Sequence, residues 1–207
     1  MAVQRIVSRD DGSTLLYECE AASLKEAIEK AVRDRVDLSR AYCAGADLRD
    51  ASLPHARFAG ADFTGAVFHR AYMIECCFRE ATLDRAMLDY AYAPWCNFIR
   101  ARTNATRFAR ADLTRADFTN ADLTHANFIR ANLENACFQG ARVPWRSHDA
   151  VAEILRQHAG KDPAKRMIAG LVIVSRDWCW RDFAKALTHD EIGKWVIDTL
   201  WEYVDFS

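Results

Sequence analysis

No apolar run in this chain approaches the roughly 20 residues needed to span a bilayer. The opening segment, Met1 to Asp10, has neither a long apolar stretch nor an export cleavage pattern. Both absences point to a cytoplasmic protein without membrane association. Net charge is nearly absent as well: 28 Lys and Arg stand against 29 Asp and Glu, giving −1 at pH 7. Nothing at whole-chain level therefore selects nucleic acid, an anionic surface or a basic partner. Catalytic signatures are missing: there is no HExxH, no GxSxG, no GxGxxG and no GxxxxGK followed by Ser or Thr. The six histidines are scattered. The seven cysteines are odd in number and form no CxxC pair or Cys/His cluster, which fits reduced thiols better than a disulfide framework or a zinc site. The chain reads as a non-enzymatic protein with no cofactor and no metal centre.

What is present is a five-residue period that never slips. From Asp112 the chain runs Asp-Leu-Thr-Arg-Ala, Asp-Phe-Thr-Asn-Ala, Asp-Leu-Thr-His-Ala, Asn-Phe-Ile-Arg-Ala. With the Leu or Phe taken as centre i, 22 centres fall in strict phase from Leu38 to Val143. Position i−2 is Ala in 18 of them, the exceptions being Val36, Cys76, Cys96 and Thr106. A helix cannot use this pattern, because a five-residue step rotates each centre by roughly 140° and scatters the apolar residues around the cylinder. Extended geometry can. Positions i−2 and i point inward, i−1 and i+1 point outward, and a bend at i+2 restarts the pattern on a new face.

These units resemble the pentapeptide-repeat family, whose consensus is a small residue, Asp or Asn, Leu or Phe, then Ser, Thr or Arg, then Gly. The resemblance covers residues 36 to 145, roughly half the chain. It implies a mainly β fold, a right-handed quadrilateral β-solenoid with one pentapeptide per face. Such a stack would hold about five and a half coils and, at roughly 4.8 Å per coil, be about 26 Å long. Residues 20 apart then become vertical neighbours, and the centres sort accordingly. One column reads Leu38, Phe58, Phe78, Phe98, Phe118, Phe138, and another Leu48, Phe68, Leu88, Phe108, Phe128. The period-five search does not impose that segregation, so it supports a 20-residue coil independently.

The ends differ in character. Residues 1–35 predict a β-hairpin, Arg5–Ser8 and Leu15–Cys19 around Asp10-Asp11-Gly12, followed by a helix through Arg33 opened by a Ser23/Glu26 capping box. They would cover the open edge of the first coil. Residues 146–207 predict a helical bundle. Ser147 caps its first helix, which ends at Gly160, and Asp162-Pro163 opens the second. A short third helix carries Trp178 and Trp180. A Thr188/Glu191 capping box starts the last, with Ile192, Trp195, Val196, Thr199, Leu200, Tyr203 and Val204 at helical spacing. Trp178, Trp180, Trp195 and Trp201 either fill this bundle or form a homodimer interface. The resemblance implies the second, since similar proteins often dimerise through C-terminal helices.

Within the repeats, the aspartates at i−1, such as Asp112, Asp117 and Asp122, lie on different faces and read as structural residues rather than an acid/base pair. Cys76 and Cys96 read as small core residues in place of Ala. The clearest departure from consensus is aromatic. Tyr72 and Tyr92 share the i−1 column 20 residues apart, Ile74 and Pro94 follow at i+1, and Tyr90 and Trp95 stand at the adjoining corners. An aromatic group rimmed by polar residues is the composition of a partner-binding patch. The alternative is that these rings fold over a core weakened at Met73 and Ala93.

The repeat family includes proteins that look like B-form DNA and bind type II topoisomerases. A 26 Å duplex presents roughly 15 negative charges. Residues 36–146 hold 14 Arg, no Lys and 12 Asp plus Glu, a surplus of two positive charges. Mimicry of DNA therefore ranks below an unidentified protein partner, and nucleic acid itself is not expected. The head, with Asp11-Gly12 and Ser23-Leu24-Lys25-Glu26-Ala27, and the tail, with Ser175-Arg176-Asp177-Trp178-Cys179-Trp180, resemble pentapeptide proteins encoded by phages and prophages. That resemblance implies an accessory protein acting on a host or defence protein. A small-ligand binder is the third reading, and a pocket where the repeats meet a helix would favour it.

Overall fold

A computed structural model describes residues 2–145, 147–174 and 191–205. Its elements in chain order are β1 (Ala2–Val7), β2 (Leu15–Ala21), α1 (Leu24–Arg33), β3 (Val143–Pro144), α2 (His148–Ala159), α3 (Pro163–Val174), α4 (Glu191–Trp201) and β4 (Val204–Asp205). Between α1 and β3 the chain forms single parallel bridges rather than long strands, each joining residues 20 apart, from Tyr42 with Asp62 to Asp122 with Arg142. The register is thus one coil per four pentapeptides.

The backbone of one pentapeptide accounts for nearly all its donors, which explains its composition. In the unit centred on Met73, Tyr72 N–H donates to the carbonyl of Ala51 in the coil before, at 2.8 Å. Met73 N–H and Glu75 N–H donate to Tyr92 and Pro94 in the coil after, at 2.7 and 3.0 Å. The i+3 N–H closes the turn, as Ala71 does on Phe68 at 2.9 Å. Only the i+1 N–H lacks a main-chain partner, and a buried donor left alone is costly. Asp or Asn at i−1 accepts it: Thr114 donates to Asp112 at 3.0 Å, Thr119 to Asp117 at 2.9 Å, Ile129 to Asn127 at 2.9 Å. The repeated carboxylates are structural acceptors. The three prolines of the repeats, Pro54, Pro94 and Pro144, all stand at i+1 behind a residue other than Asp or Asn, namely Ser52, Tyr92 and Arg142. Proline has no N–H to satisfy, so it removes the need for the acceptor.

Corners at i+2 take left-handed backbone. Gly45, Gly60, Gly65 and Gly140 do so, and so do Tyr90 (φ 59°) and Trp95 (φ 62°), although bulky residues rarely adopt that region. Inside, the centres are closed off from solvent and the phenylalanines stack coil on coil. Ring centroids of Phe78, Phe98 and Phe118 lie 5.3 and 4.8 Å apart and nearly parallel, and Phe108 and Phe128 lie 4.9 Å apart. Rings of adjoining columns meet edge to face, as Phe98 and Phe108 do at 81°, the arrangement the aromatic quadrupole favours. Four small polar side chains reach back to a carbonyl of the preceding coil. Cys76 and Cys96 thiols donate to Leu53 and Met73 at 2.8 Å, and Thr106 and Ser147 hydroxyls to Leu83 and Ala126 at 2.7 Å.

The N-terminal hairpin pairs antiparallel with an irregularity between Ile6 and Val7. It then runs onto the first coil, where Tyr42 N–H donates to Val7 at 2.8 Å and Arg9 N–H to Arg40 at 2.7 Å. Arg9 Nη1 continues down the same side to the Gly60 carbonyl (3.0 Å) and Thr82 Oγ1 (3.1 Å). Helix α1 buries Ala27, Ile28 and Ala31, and Ser23 Oγ accepts from Glu26 N–H at 3.2 Å. The expected capping box is incomplete: Glu26 reaches past Ser23 to the N–H of Ala22, at 2.7 Å.

Two expectations at the C-terminal end are corrected. Ser147 precedes α2 but gives it no side-chain cap, because its hydroxyl is committed to Ala126. The last helix stops at Trp201, and Val204–Asp205 instead pairs in parallel with Val143–Pro144, with Val143 N–H donating to Tyr203 at 2.6 Å. An extended tail meets the open donor of the final repeat, and that long-range bond outweighs the helical spacing of Val204. Gly160 (φ 54°) ends α2, and Asp162 accepts from Ala164 and Lys165 at the start of α3, at 3.0 and 3.3 Å. No helix among the described residues is long and apolar enough to cross a membrane.

Candidate functional site

The coil places the aromatic residues on one face. Tyr72 and Tyr92 bridge in parallel, and their rings stack at 5.4 Å with planes 9° apart. They are 43% and 42% exposed, Tyr90 and Trp95 47% and 51%, whereas Ile74 is half-buried and Pro94 buried. Met73 and Ala93 are closed off beneath them. The rings are thus partly exposed above two fully covered centres. Tyr90 and Trp95 are carried outward by left-handed corners, which turn the side chain off the face and away from the core.

Cations are held against these rings. The Arg115 guanidinium lies 4.4 Å from the Trp95 ring centre and that of Arg110 5.4 Å from the Tyr90 ring. Arg110 also donates to the Tyr90 hydroxyl at 2.9 Å, and His69 meets the same ring edge-on at 5.4 Å. Such contacts contribute about 0.5–1 kcal/mol each at exposed sites and fix the ring orientation. The upper rim is polar, with Arg70 paired to Asp50 at 2.9 Å and His55 Nδ1 3.3 Å from Glu75. The face is amphipathic, with aromatic rings set among charged and polar side chains. Among the described residues no group of three or more His, Cys, Asp and Glu is placed to hold a metal ion.

Trp195 and Trp201 belong to α4 and not to this face. Trp195 is half-buried with the Lys165 ammonium 5.1 Å over its ring, and Trp201 is 73% exposed. Trp178 and Trp180, with the third helix and the Thr188 cap, lie outside the described residues.

Two features escaped the reading of the sequence. Carboxylates from flanking helices close the open coil edges: Glu29 of α1 accepts from Ser52 N–H, and Glu153 of α2 from Asn135 N–H, both at 2.9 Å. A glutamate on the inward side of each helix was the only available signal. The second is a groove of about 770 Å³ between α1 and the first coils, lined by Glu29, Val32, Arg33, Val36, Pro54 and His55 among others. Its lining residue Ser52 bridges to Tyr72 in the next coil, and none of the exposed aromatic residues lines it.

The family model described as pentapeptide repeats matches residues 34–70 and 106–142, in eight copies. Among solved structures, the chain is similar to Rfr23, a pentapeptide repeat protein of the cyanobacterium Cyanothece 51142, with 22% identity, TM-score 0.23, and 45% of this chain on 60% of that one. The match thus spans less than two thirds of Rfr23. A pentapeptide repeat protein of the Arabidopsis thaliana thylakoid lumen gives 20% identity, TM-score 0.28, and 56% on 74%. QnrB1, a plasmid-mediated fluoroquinolone resistance protein, gives 17% identity, TM-score 0.26, and 51% on 78%. Comparison with curated proteins gave no match. By its repeats and their family model, this chain belongs to the pentapeptide-repeat family.

Proposed function

We propose that this protein is a non-enzymatic scaffold, a right-handed quadrilateral β-solenoid that binds a protein partner through the face carrying Tyr72, Ile74, Tyr90, Tyr92 and Trp95. One observation carries the reading: four large aromatic side chains, each more than 40% exposed, gather on one face of adjacent coils. Outward positions elsewhere in the repeats are mostly Asp, Asn, Thr, Ser and Arg. Rigid aromatic and arginine side chains are the usual anchors of protein interfaces, because little rotamer entropy is lost on burial. The head and tail resemblance alone supports a phage or prophage accessory role toward a host protein in the cytoplasm. The exposed Trp201 supports dimerisation through the C-terminal helices, which sedimentation of the wild type and Trp201→Ala at several concentrations checks.

The test is a host-lysate pull-down comparing wild type with a Tyr72→Ala, Tyr92→Ala, Trp95→Gly variant of unchanged thermal midpoint. Glycine suits position 95 because the corner φ is positive. A partner captured by the wild type and lost with the variant is expected. A partner retained by both moves the site to the helical end, and no partner for either sinks the protein-scaffold reading. Mimicry of DNA toward gyrase is the alternative. The positive surplus of the repeats opposes it, and purified gyrase is expected to supercoil normally in the protein's presence.

A further inference from the structure

We propose that the groove between α1 and the first coils binds a small amphipathic organic anion, a carboxylate or sulfonate on an apolar body. The volume of about 770 Å³ lies in the range of roughly 300–1,000 Å³ that encloses small ligands. Its walls divide by chemistry. Val32, Val36, Pro54 and Ala56 supply an apolar floor, while Arg33, Arg35, Arg57 and His55 stand around it.

The charges do not cancel locally. Glu29 is the one carboxylate of the lining, and it already accepts the Ser52 N–H at 2.9 Å. Lys30, the other cation near the end of α1, is paired with Glu26 at 2.9 Å. Arg57 donates to the Arg35 carbonyl at 2.5 Å, and the carboxylates that feel Arg57 and Arg33, Asp37 and Glu26, stand outside the lining. Arg33 and Arg35 are exposed, and no ion pair among the described residues involves either of them or Arg57. Within the lining, three guanidiniums outnumber one committed carboxylate over an apolar floor, which favours an anion that also carries apolar surface.

Much of the main chain along the groove is already engaged. Leu53 and His55 donate into the next coil, to Tyr72 and Ile74 at 2.8 Å. Ser52 N–H is held by Glu29, the Arg35 carbonyl by Arg57, and Pro54 has no N–H. With these groups engaged, recognition in the groove falls chiefly to side chains. This site is independent of the partner-binding reading of the aromatic face.

Anilinonaphthalene sulfonate, an amphipathic aryl anion that fluoresces when desolvated, is the probe. Titrated onto the folded full chain, it should saturate a single site, be displaced by decanoate and not be displaced by decyltrimethylammonium. Arg33→Glu with Arg35→Glu should weaken binding about tenfold or more, the effect of losing charge-assisted hydrogen bonds. The neutral pair Arg33→Gln with Arg35→Asn serves if charge reversal perturbs folding, since Asn tolerates the left-handed backbone at residue 35 (φ 58°). Tyr72→Ala with Tyr92→Ala should leave binding unchanged. Absence of saturable binding, full affinity in both arginine variants, or equal displacement by the cationic amphiphile would each overturn the assignment.

Discussion

Replacing Glu153 by Met should fray one end of the coil stack and leave the other intact. The side chain is 8% exposed, and its carboxylate serves four donors. Oε1 accepts from Asn135 N–H at 2.9 Å, Gln157 Nε2 at 2.8 Å and Arg156 Nη2 at 2.7 Å, and Oε2 accepts from Arg156 Nε at 2.7 Å. Met has similar volume but accepts almost nothing, so packing is kept while the acceptors vanish. The Asn135 N–H then loses its acceptor, at about 1.5–3 kcal/mol for a hydrogen bond to a charged group. Arg156 is a third exposed and can rehydrate, which limits the ion-pair loss to about 0–1 kcal/mol. Gln157 keeps its bond to the Ala136 carbonyl at 2.7 Å and adds little. The total is about 1.5–4 kcal/mol, or roughly 10- to 700-fold in a local opening equilibrium.

Stacked repeats couple chiefly to their neighbours, so the loss should appear at the C-terminal coil. Hydrogen exchange followed by mass spectrometry reads it directly. Peptides covering residues 126–145 should exchange faster by that factor, and those covering 56–75 should not change. Glu29→Met, at the half-buried counterpart on α1, should give the same pattern at residues 36–55 with a smaller increase. Acceleration spread evenly over every coil, or none, would refute an edge-capping role for these carboxylates.

Phe98→Ala should cost about 3–5 kcal/mol in guanidinium unfolding, because Phe98 is fully buried between Phe78 and Phe118; a loss below about 1 kcal/mol would show that the column is not tightly packed. Cys96→Ser should stay within about 1 kcal/mol of wild type, since the Met73 carbonyl is already positioned 2.8 Å from the thiol and Thr106 makes the same bond with oxygen. A larger destabilisation would mean that sulfur volume matters more than the donor. Tyr17 should make stability fall at high pH: its hydroxyl donates to Asp34 at 2.6 Å, which raises its pKa from 10.0 to about 12. The folded pKa is the higher one, so this contribution is intact below pH 10 and is lost as pH rises toward 12. Tyr17→Phe should remove that step from the unfolding midpoint measured against pH, and an unchanged profile would show that Tyr17 does not couple to folding.

The sequence by itself determined the coil interior. A strict period of five with Ala at i−2 leaves one way to keep Phe98 and Leu113 inside, and residues 20 apart then stack without further information. Tyr72 over Tyr92 followed from the same arithmetic, because vertical neighbours in a four-unit coil are set by residue number alone. The function of the i−1 carboxylates became clear only when the i+1 N–H proved to be the one donor without a main-chain partner, which also accounts for Pro54, Pro94 and Pro144. Tertiary structure decided everything at the ends. Ser147 had the sequence of a helix cap, yet its hydroxyl lay nearer a stronger need at Ala126. Val204 had helical spacing, yet an open strand donor at Val143 drew the tail into extended pairing. Glu29, Glu153 and the arginine-rimmed groove arise where separately folded segments dock, and docking angle is encoded by no local period. Repetition makes the interior readable because each coil solves the same problem as the last, whereas each end is met once.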